Sequence, residues 1–323
     1  MKSKYAVGLW AFESPGDRFV IDSYREGQAI DDVIQIISKA EKISGVELNY
    51  PSSFFDDLPM AKEKLSQAGL SLVMIGADVT CKREWANGAL SSVDEGIRKK
   101  AVKVFHETMD IAAVLDCPCV NLWLGQDGYD YLFQVDYSKS WTRLLKSVDE
   151  IVRHRNDVKI SIEYKQKEPR THTFIATVEK ALYIVQKVGA DNLGVTIDVG
   201  HALNAYENVA ESASLLLSEG KLFHMHFNDN YRLWDDDMIV GTVHFWEYIE
   251  LIYYLKRAGY DGYLSLDIFP YREDPLSAVN ESIEQLELFS GIVDRIGLPK
   301  FEELLSQKDI AKVFGFLRKQ IFI

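Results

Sequence analysis

The sequence predicts a (β/α)8 TIM barrel with a C-terminal helical extension. Eight short β-rich runs, nearly all apolar along their length, are spaced from end to end of the chain. Longer stretches with helical spacing alternate with them, so the apolar period switches between 2 and 3.6. The length of 323 residues suits one barrel of roughly 250 residues with extensions.

The strand candidates are Tyr5–Trp10, Val46–Asn49, Leu70–Ile75, Cys119–Leu124, Val158–Glu163, Leu193–Val199, Leu222–Phe227 and Tyr263–Ile268. Strands this uniformly apolar belong to a parallel sheet covered on both faces. The first helix candidate, Gln28–Ile43, places Ile30, Val33, Ile34, Ile37 and Ala40 on one stripe. Glu95–Leu115 repeats the pattern with Val102, Phe105, Met109, Ala112 and Ala113. Further candidates are Ser138–Arg155, Thr173–Val188, Asn208–Ser218, Phe245–Ala258 and Pro275–Val293. Gly259-Tyr260-Asp261-Gly262-Tyr263 reads as the turn before the last strand. No low-complexity linker interrupts the chain. Residues 1–293 are therefore expected to form the catalytic barrel, and 294–323 a helical tail. The tail's apolar stripe, Ile310, Val313, Phe314 and Leu317 with Phe301, Leu304 and Leu305 upstream, needs a neighbour: either its own barrel or a second subunit.

Composition narrows the function. With 47% hydrophobic and 26% charged residues the chain has the make-up of a folded globular protein and not of a disordered one. A net charge of −13 argues against a nucleic-acid partner, which would be repelled. Cys81, Cys117 and Cys119 form neither a disulfide framework nor a CxxC zinc motif, and the last two read as buried thiols. The amino terminus carries no signal-peptide apolar core, and no apolar run reaches the roughly 18 residues of a membrane span. The cytoplasm is the expected location, with no membrane partner.

In a barrel of this kind the chemistry sits at the C-terminal ends of the strands. The fifth strand ends Glu163-Tyr164-Lys165, which sets carboxylate and amine on one side; alone, the pair would read as a solvated ion pair. The sixth ends Asp198-Val199-Gly200-His201, weak by itself, since Asp also caps helices. On the seventh, His224 and His226 share a face and lead into Asn228-Asp229-Asn230 and then Asp235-Asp236-Asp237 before an apolar Met-Ile-Val. Closely packed like charges are tolerated where a divalent cation offsets them. On the eighth, Asp267 stands alone among apolar residues, where an ionised carboxylate needs a cation or several donors. Four adjacent strands thus each offer a candidate ligand: Glu163, Asp198, His226 and Asp267. Three carboxylates and an imidazole suit Mn²⁺, Co²⁺ or Mg²⁺ better than a thiolate site would, with Zn²⁺ also admissible. His201, Asp235 and Asp237 form a second cluster for another ion, two per chain.

These segments resemble the xylose-isomerase-like barrel superfamily, and within it most resemble the L-rhamnose isomerases. The carrying runs are Ile162–Pro169, Thr196–His201, His226-Phe227-Asn228, Asp235–Gly241 and Leu266-Asp267, over about residues 118–270. The resemblance implies that Glu163, Asp198, His226 and Asp267 hold a metal that binds two substrate oxygens. It implies that His201, Asp235 and Asp237 hold the second, catalytic metal, and that Lys165 bonds a substrate hydroxyl near the reacting carbons. Glu163, Lys165, Asp235 and Asp237 become the catalytic candidates. Trp123 resembles the tryptophan walling the sugar pocket, with Trp10 and Phe12 opposite. Asn49 stands where rhamnose isomerases tend to carry a histidine, and the His226-to-Asp235 spacing is about one residue longer.

The expected activity is aldose–ketose isomerisation of an unphosphorylated monosaccharide, with hydrogen moving between C1 and C2. No Gly-rich phosphate cradle follows strand seven or eight, and no GxGxxG follows strand one. A homo-oligomer, dimer or tetramer, is expected. The competing readings are a ketose 3-epimerase, a metal-dependent AP-endonuclease-like hydrolase, which the acidic charge disfavours, and a non-catalytic sugar-binding barrel.

Overall fold

Parallel strands β1 (Lys4–Gly8), β2 (Ile43–Tyr50), β3 (Ser71–Ala77), β4 (Cys119–Trp123), β5 (Lys159–Glu163), β6 (Leu193–Asp198), β7 (Leu222–Phe227) and β8 (Tyr263–Leu266) pair in sequence order. β8 returns to β1 and closes the barrel. The computed structural model describes residues 4–40 and 42–322. All eight strand candidates are found, with ends shifted by at most three residues. In the registers Trp123 lies opposite Glu163, Glu163 opposite Thr196, Asp198 opposite His226, and His226 opposite Ser265. The four neighbouring tips therefore emerge at the same end of the barrel, offset by about two residues between β5 and β6.

The outer layer is α1 (Ile30–Ile37), α2 (Leu58–Gln67), α3 (Glu95–Val114), α4 (Tyr137–Val152), α5 (Val178–Val188), α6 (Val199–Asn204), α7 (Val209–Ser218), α8 (Phe245–Arg257), α9 (Pro275–Ile296), α10 (Leu298–Leu305) and α11 (Ile310–Phe322). Their starts follow local chemistry: Asp94, Asp136, Asn208 and Asp274 each accept a backbone N–H of the first turn. Most of the first two stripes is buried, including Val33, Ile34, Ile37, Val102, Phe105 and Met109, while Ile30, Ala40 and Ala113 are half-buried.

Several elements differ from the sequence reading. The helix expected over 28–43 is only Ile30–Ile37, because the chain must turn and enter β2 at Ile43. α2 was not anticipated; Asp57 caps it by accepting from Met60 N at 3.0 Å, and Pro59 stands in its first turn. Thr173 belongs to a small antiparallel sheet of Gly128–Tyr129, Lys167–Glu168 and Thr171–Thr173, not to a helix. α9 runs unbroken to Ile296, past the expected boundary at residue 293. The tail that follows packs part of its stripe on its own barrel, with Phe301 4.8 Å from Tyr253 and Phe314 5.2 Å from Trp246 between ring centroids, while Leu305, Ile310 and part of Phe314 remain exposed. Cys117 and Cys119 are buried and Cys81 exposed, all as free thiols. Among the described residues no helix is long and apolar enough to cross a membrane.

Candidate metal centre

Glu163 at the end of β5, Asp198 at the end of β6, His226 on β7 and Asp267 just past β8 present ligand atoms that all lie within 4.8 Å of one another. His226 Nδ1 is 3.2 Å from Asp267 Oδ2 and 3.5 Å from Glu163 Oε1. Each carboxylate is aimed by a donor from elsewhere in the barrel. Asn121 on β4 donates to Glu163 Oε2. Asn228 Nδ2 donates to Asp198 Oδ2 at 2.8 Å. Trp10 Nε1 donates to Asp267 Oδ1 at 2.6 Å. Burial pushes the Glu163 carboxyl up, but the imidazoles of His226 and His201 overcome it and hold the pKa at about 2. Asp198 is raised to about 7, by burial first; the His201 charge opposes this and the carboxylates of Asp267, Asp235 and Glu163 reinforce it.

A second group consists of Asp198, His201 and Asp235, again within 4.8 Å. Asp198 is common to both. His201 Nε2 donates to Asp235 Oδ2 at 3.1 Å, and its Nδ1 lies 3.2 Å from Glu163 Oε1. Lys165 Nζ is 2.7 Å from Asp235 Oδ2 and also donates to Glu168. Burial lowers the ammonium's pKa, yet Asp235, Glu168 and Asp237 outweigh it and keep Lys165 charged. Asp237 is not part of this three-residue group. Its Oδ1 accepts from Asn228 Nδ2 at 3.2 Å, at a residue with left-handed backbone, φ 46°.

The loop that delivers Asp235 and Asp237 is fixed by Asp229. This buried carboxylate accepts from Val243 N at 2.8 Å, His244 N at 3.0 Å and His244 Nδ1 at 2.7 Å, while Asp229 and Met238 exchange backbone hydrogen bonds. Gly200 lets this loop approach α6: a Cβ there would lie 2.4 Å from Asn228 Oδ1 and 2.8 Å from Asn230 Nδ2.

The donor set fits a divalent cation. Nδ1 of His226 and Nδ1 of His201, which lie against the carboxylates, and Oδ1 of Asp235 are buried and make no hydrogen bond. Buried polar atoms left unpaired are costly, and convergent ones of mixed O and N type are what an ion of the Mn²⁺ or Mg²⁺ kind satisfies.

Of the other sequence candidates, Trp123 lies beside Lys165, whose Nζ is 5.2 Å from the ring centroid. Trp10 sits with its ring edge-on to His226 at 6.4 Å and bonds Asp267, so it packs against two of the candidate ligands. Asn49 is exposed at the end of β2, two residues beyond Glu47 on the same face. Phe12 is 1% exposed and packed in the core, so it offers no surface to a sugar. A cavity of about 920 Å³ opens beside Asp235 and Asp237, with Trp234, Met238, Tyr271 and Arg272 in its walls. Asn121 and Asn228, which donate to Glu163 and Asp198, were missed by the sequence reading. Each is a polar residue inside an apolar strand or at its tip, the same signal that marked Asp267.

With this fold and centre in view, the comparisons place the chain. It belongs to the xylose isomerase-like TIM barrel family, whose sequence model matches residues 35–289. A xylose isomerase of Thermus thermophilus is 23% identical over 288 residues, covering 84% of this chain and 74% of that protein. A D-tagatose 3-epimerase-like protein superposes with TM-score 0.69 at 22% identity, covering 90% of this chain and 98% of that one. An L-ribulose 3-epimerase gives 0.72 at 14% identity over 95% and 99%. At these identities the solved structures establish shared architecture. The narrower resemblance to L-rhamnose isomerases is not carried by these relatives, which are a xylose isomerase and 3-epimerases.

Proposed function

We propose that the protein is a divalent-metal-dependent aldose–ketose isomerase of unphosphorylated monosaccharides, with Mn²⁺ as the ion. The observation that carries this reading is the sharing of Asp198 between two adjacent ligand groups, which offers places for two cations side by side. Glu163, Asp198, His226 and Asp267 would hold the first, and Asp198, His201 and Asp235 the second, with Asp237 next to them. Such ions supply Lewis-acid polarisation of the substrate's C1 and C2 oxygens.

The chain's own groups do the rest. Lys165, pinned between Asp235 and Glu168, presents a fixed ammonium at the mouth, where it stabilises negative charge developing on a substrate oxygen. Trp123 beneath it gives a flat apolar wall for the carbon face of the sugar. Trp10 keeps Asp267 in its ligand orientation. Asn121 and Asn228 do the same for Glu163 and Asp198, so the site is preorganised before substrate arrives.

A second reading, ketose 3-epimerase, is favoured by the 3-epimerases among the structural neighbours. It needs only the first ligand group, with Glu163 and Asp267 as the acid–base pair. Incubating the Mn²⁺-loaded protein with a panel of aldoses and ketoses separates the two. Aldose–ketose interconversion supports the isomerase; C3-epimerised ketose supports the alternative; neither product from any sugar refutes both.

A further inference from the structure

Below the metal centre the barrel interior is polar where such barrels are usually filled by branched aliphatic side chains. Glu47 on β2 is 1% exposed and reaches across the interior to β7 and β8. Its Oε1 accepts from His224 Nε2 at 2.8 Å and from Ser265 Oγ. Its Oε2 accepts from His226 Nε2 at 3.0 Å. Placing an ionised carboxylate here is costly unless it is paired, and an aliphatic residue would fill the space without that cost. What the carboxylate supplies is direction.

We propose that Glu47 is the positioning residue that makes His226 a cation ligand through Nδ1, by holding the ring's proton on Nε2. A carboxylate can only accept, so the Nε2 it touches must carry hydrogen. The proton that a cation displaces can then come only from Nδ1, the buried nitrogen that faces Glu163 and Asp267 without a hydrogen bond. The short reach of the Glu47 contact also fixes the ring plane, since β2 and β7 are held apart by β1 and β8 in the barrel wall. His224, bonded to the other carboxylate oxygen and edge-on to His226 at 5.1 Å, locks Glu47 in place. Carboxylate–imidazole–metal arrangements of this kind commonly set affinity by 10–100-fold.

The inference rests on His226 as a ligand, not on which sugar reaction follows. The test uses Mn²⁺ itself as probe, titrated calorimetrically into the metal-stripped full-length protein. Glu47→Gln keeps the shape, but its amide can donate to Nε2 and drive the proton onto Nδ1. The expected result is Mn²⁺ binding weakened about 10–100-fold at the first position, with the melting temperature of the metal-free protein little changed. An unchanged dissociation constant overturns the proposal, as does a fall in melting temperature with no change in affinity. Should Glu47→Gln not fold, ¹⁵N–¹H correlation spectra of the wild-type Zn²⁺-loaded protein decide: hydrogen on Nε2 of His226 and metal on Nδ1 support it, and the reverse tautomer refutes it. Wild-type protein that binds no divalent cation refutes it too. Normal cation binding with no sugar turnover leaves the role of Glu47 intact and removes only the isomerase reading.

Discussion

Asp198 accepts the backbone N–H of His201 at 2.8 Å through Oδ1, so the residue shared by both ligand groups also starts the helix that carries His201. Of the two explanations that the Asp-x-x-His spacing offers, the helix cap is observed, and the same side chain is the proposed metal ligand. Substitution separates them. Asp198→Asn retains a good cap but removes the charge, and should abolish Mn²⁺ binding at both positions with little change in melting temperature. Asp198→Ala should lose binding and about 1 kcal/mol of stability as well. Calorimetric stoichiometry with thermal melts checks both, and two ions bound to Asp198→Asn would exclude a bridging role.

Trp10 makes a prediction of a different kind, because it touches the ligand and not the ion. Trp10→Phe keeps the apolar body and removes the donor to Asp267 Oδ1. A hydrogen bond to a charged group contributes about 1.5–3 kcal/mol, so first-site Mn²⁺ affinity should fall on the order of tenfold or more. Equal affinity in Trp10→Phe and wild type would show that Asp267 does not depend on this contact.

Lys165 is charged, buried and held by Asp235 and Glu168. Lys165→Met preserves its packing against Trp123 and deletes the ammonium. Turnover should drop on the order of 10²-fold, the scale of losing one preorganised donor. First-site Mn²⁺ should remain bound, since Lys165 touches none of the residues exclusive to that site. Full activity in this variant would remove Lys165 from the chemistry.

How much of this was legible in the sequence differs by layer. The barrel strands were, because a strand buried on both faces leaves an unbroken apolar run such as Leu193–Val199. The first ligand group was, because Asp267 and His226 are polar interruptions of such runs at the end where chemistry belongs. Asp237 was assigned to the second group by its nearness in sequence to Asp235. In the fold Asp198 joins His201 and Asp235 in that group, and Asp237 stands beside it, sharing the Asn228 Nδ2 donor with Asp198. Loop conformation decides that, and spacing does not encode it. Glu47 and Trp10 were out of reach as partners of His226 and Asp267 for another reason. They lie 179 and 257 residues away along the chain, and only barrel closure through the β1–β8 pairing brings them in.

Protons would compete with a cation for the ligand groups of this centre, which fixes a pH dependence. For His201, burial lowers the pKa, but Asp198 and Asp235 outweigh it and raise it to about 9 from the ordinary 6.5. The stability this charge confers on the metal-free protein is complete below 6.5 and is lost as pH rises through about 9. Asp198, raised from 3.8 to about 7, acts in the same direction, since its ionisation inside the fold costs stability as pH climbs through that range. Glu163 does the opposite: depressed to about 2 from 4.5, it stabilises above 4.5 and the contribution vanishes as pH falls through about 2. A cation requires these groups deprotonated, so its binding releases protons and strengthens as pH rises. The metal-free protein should therefore lose melting temperature between about pH 7 and 9, while the Mn²⁺-loaded protein holds its own, and the gap between the two curves should widen across that window. Melts of chelator-treated and Mn²⁺-loaded samples over this range measure it. A gap independent of pH would mean that His201 is not a group exchanging its proton for metal.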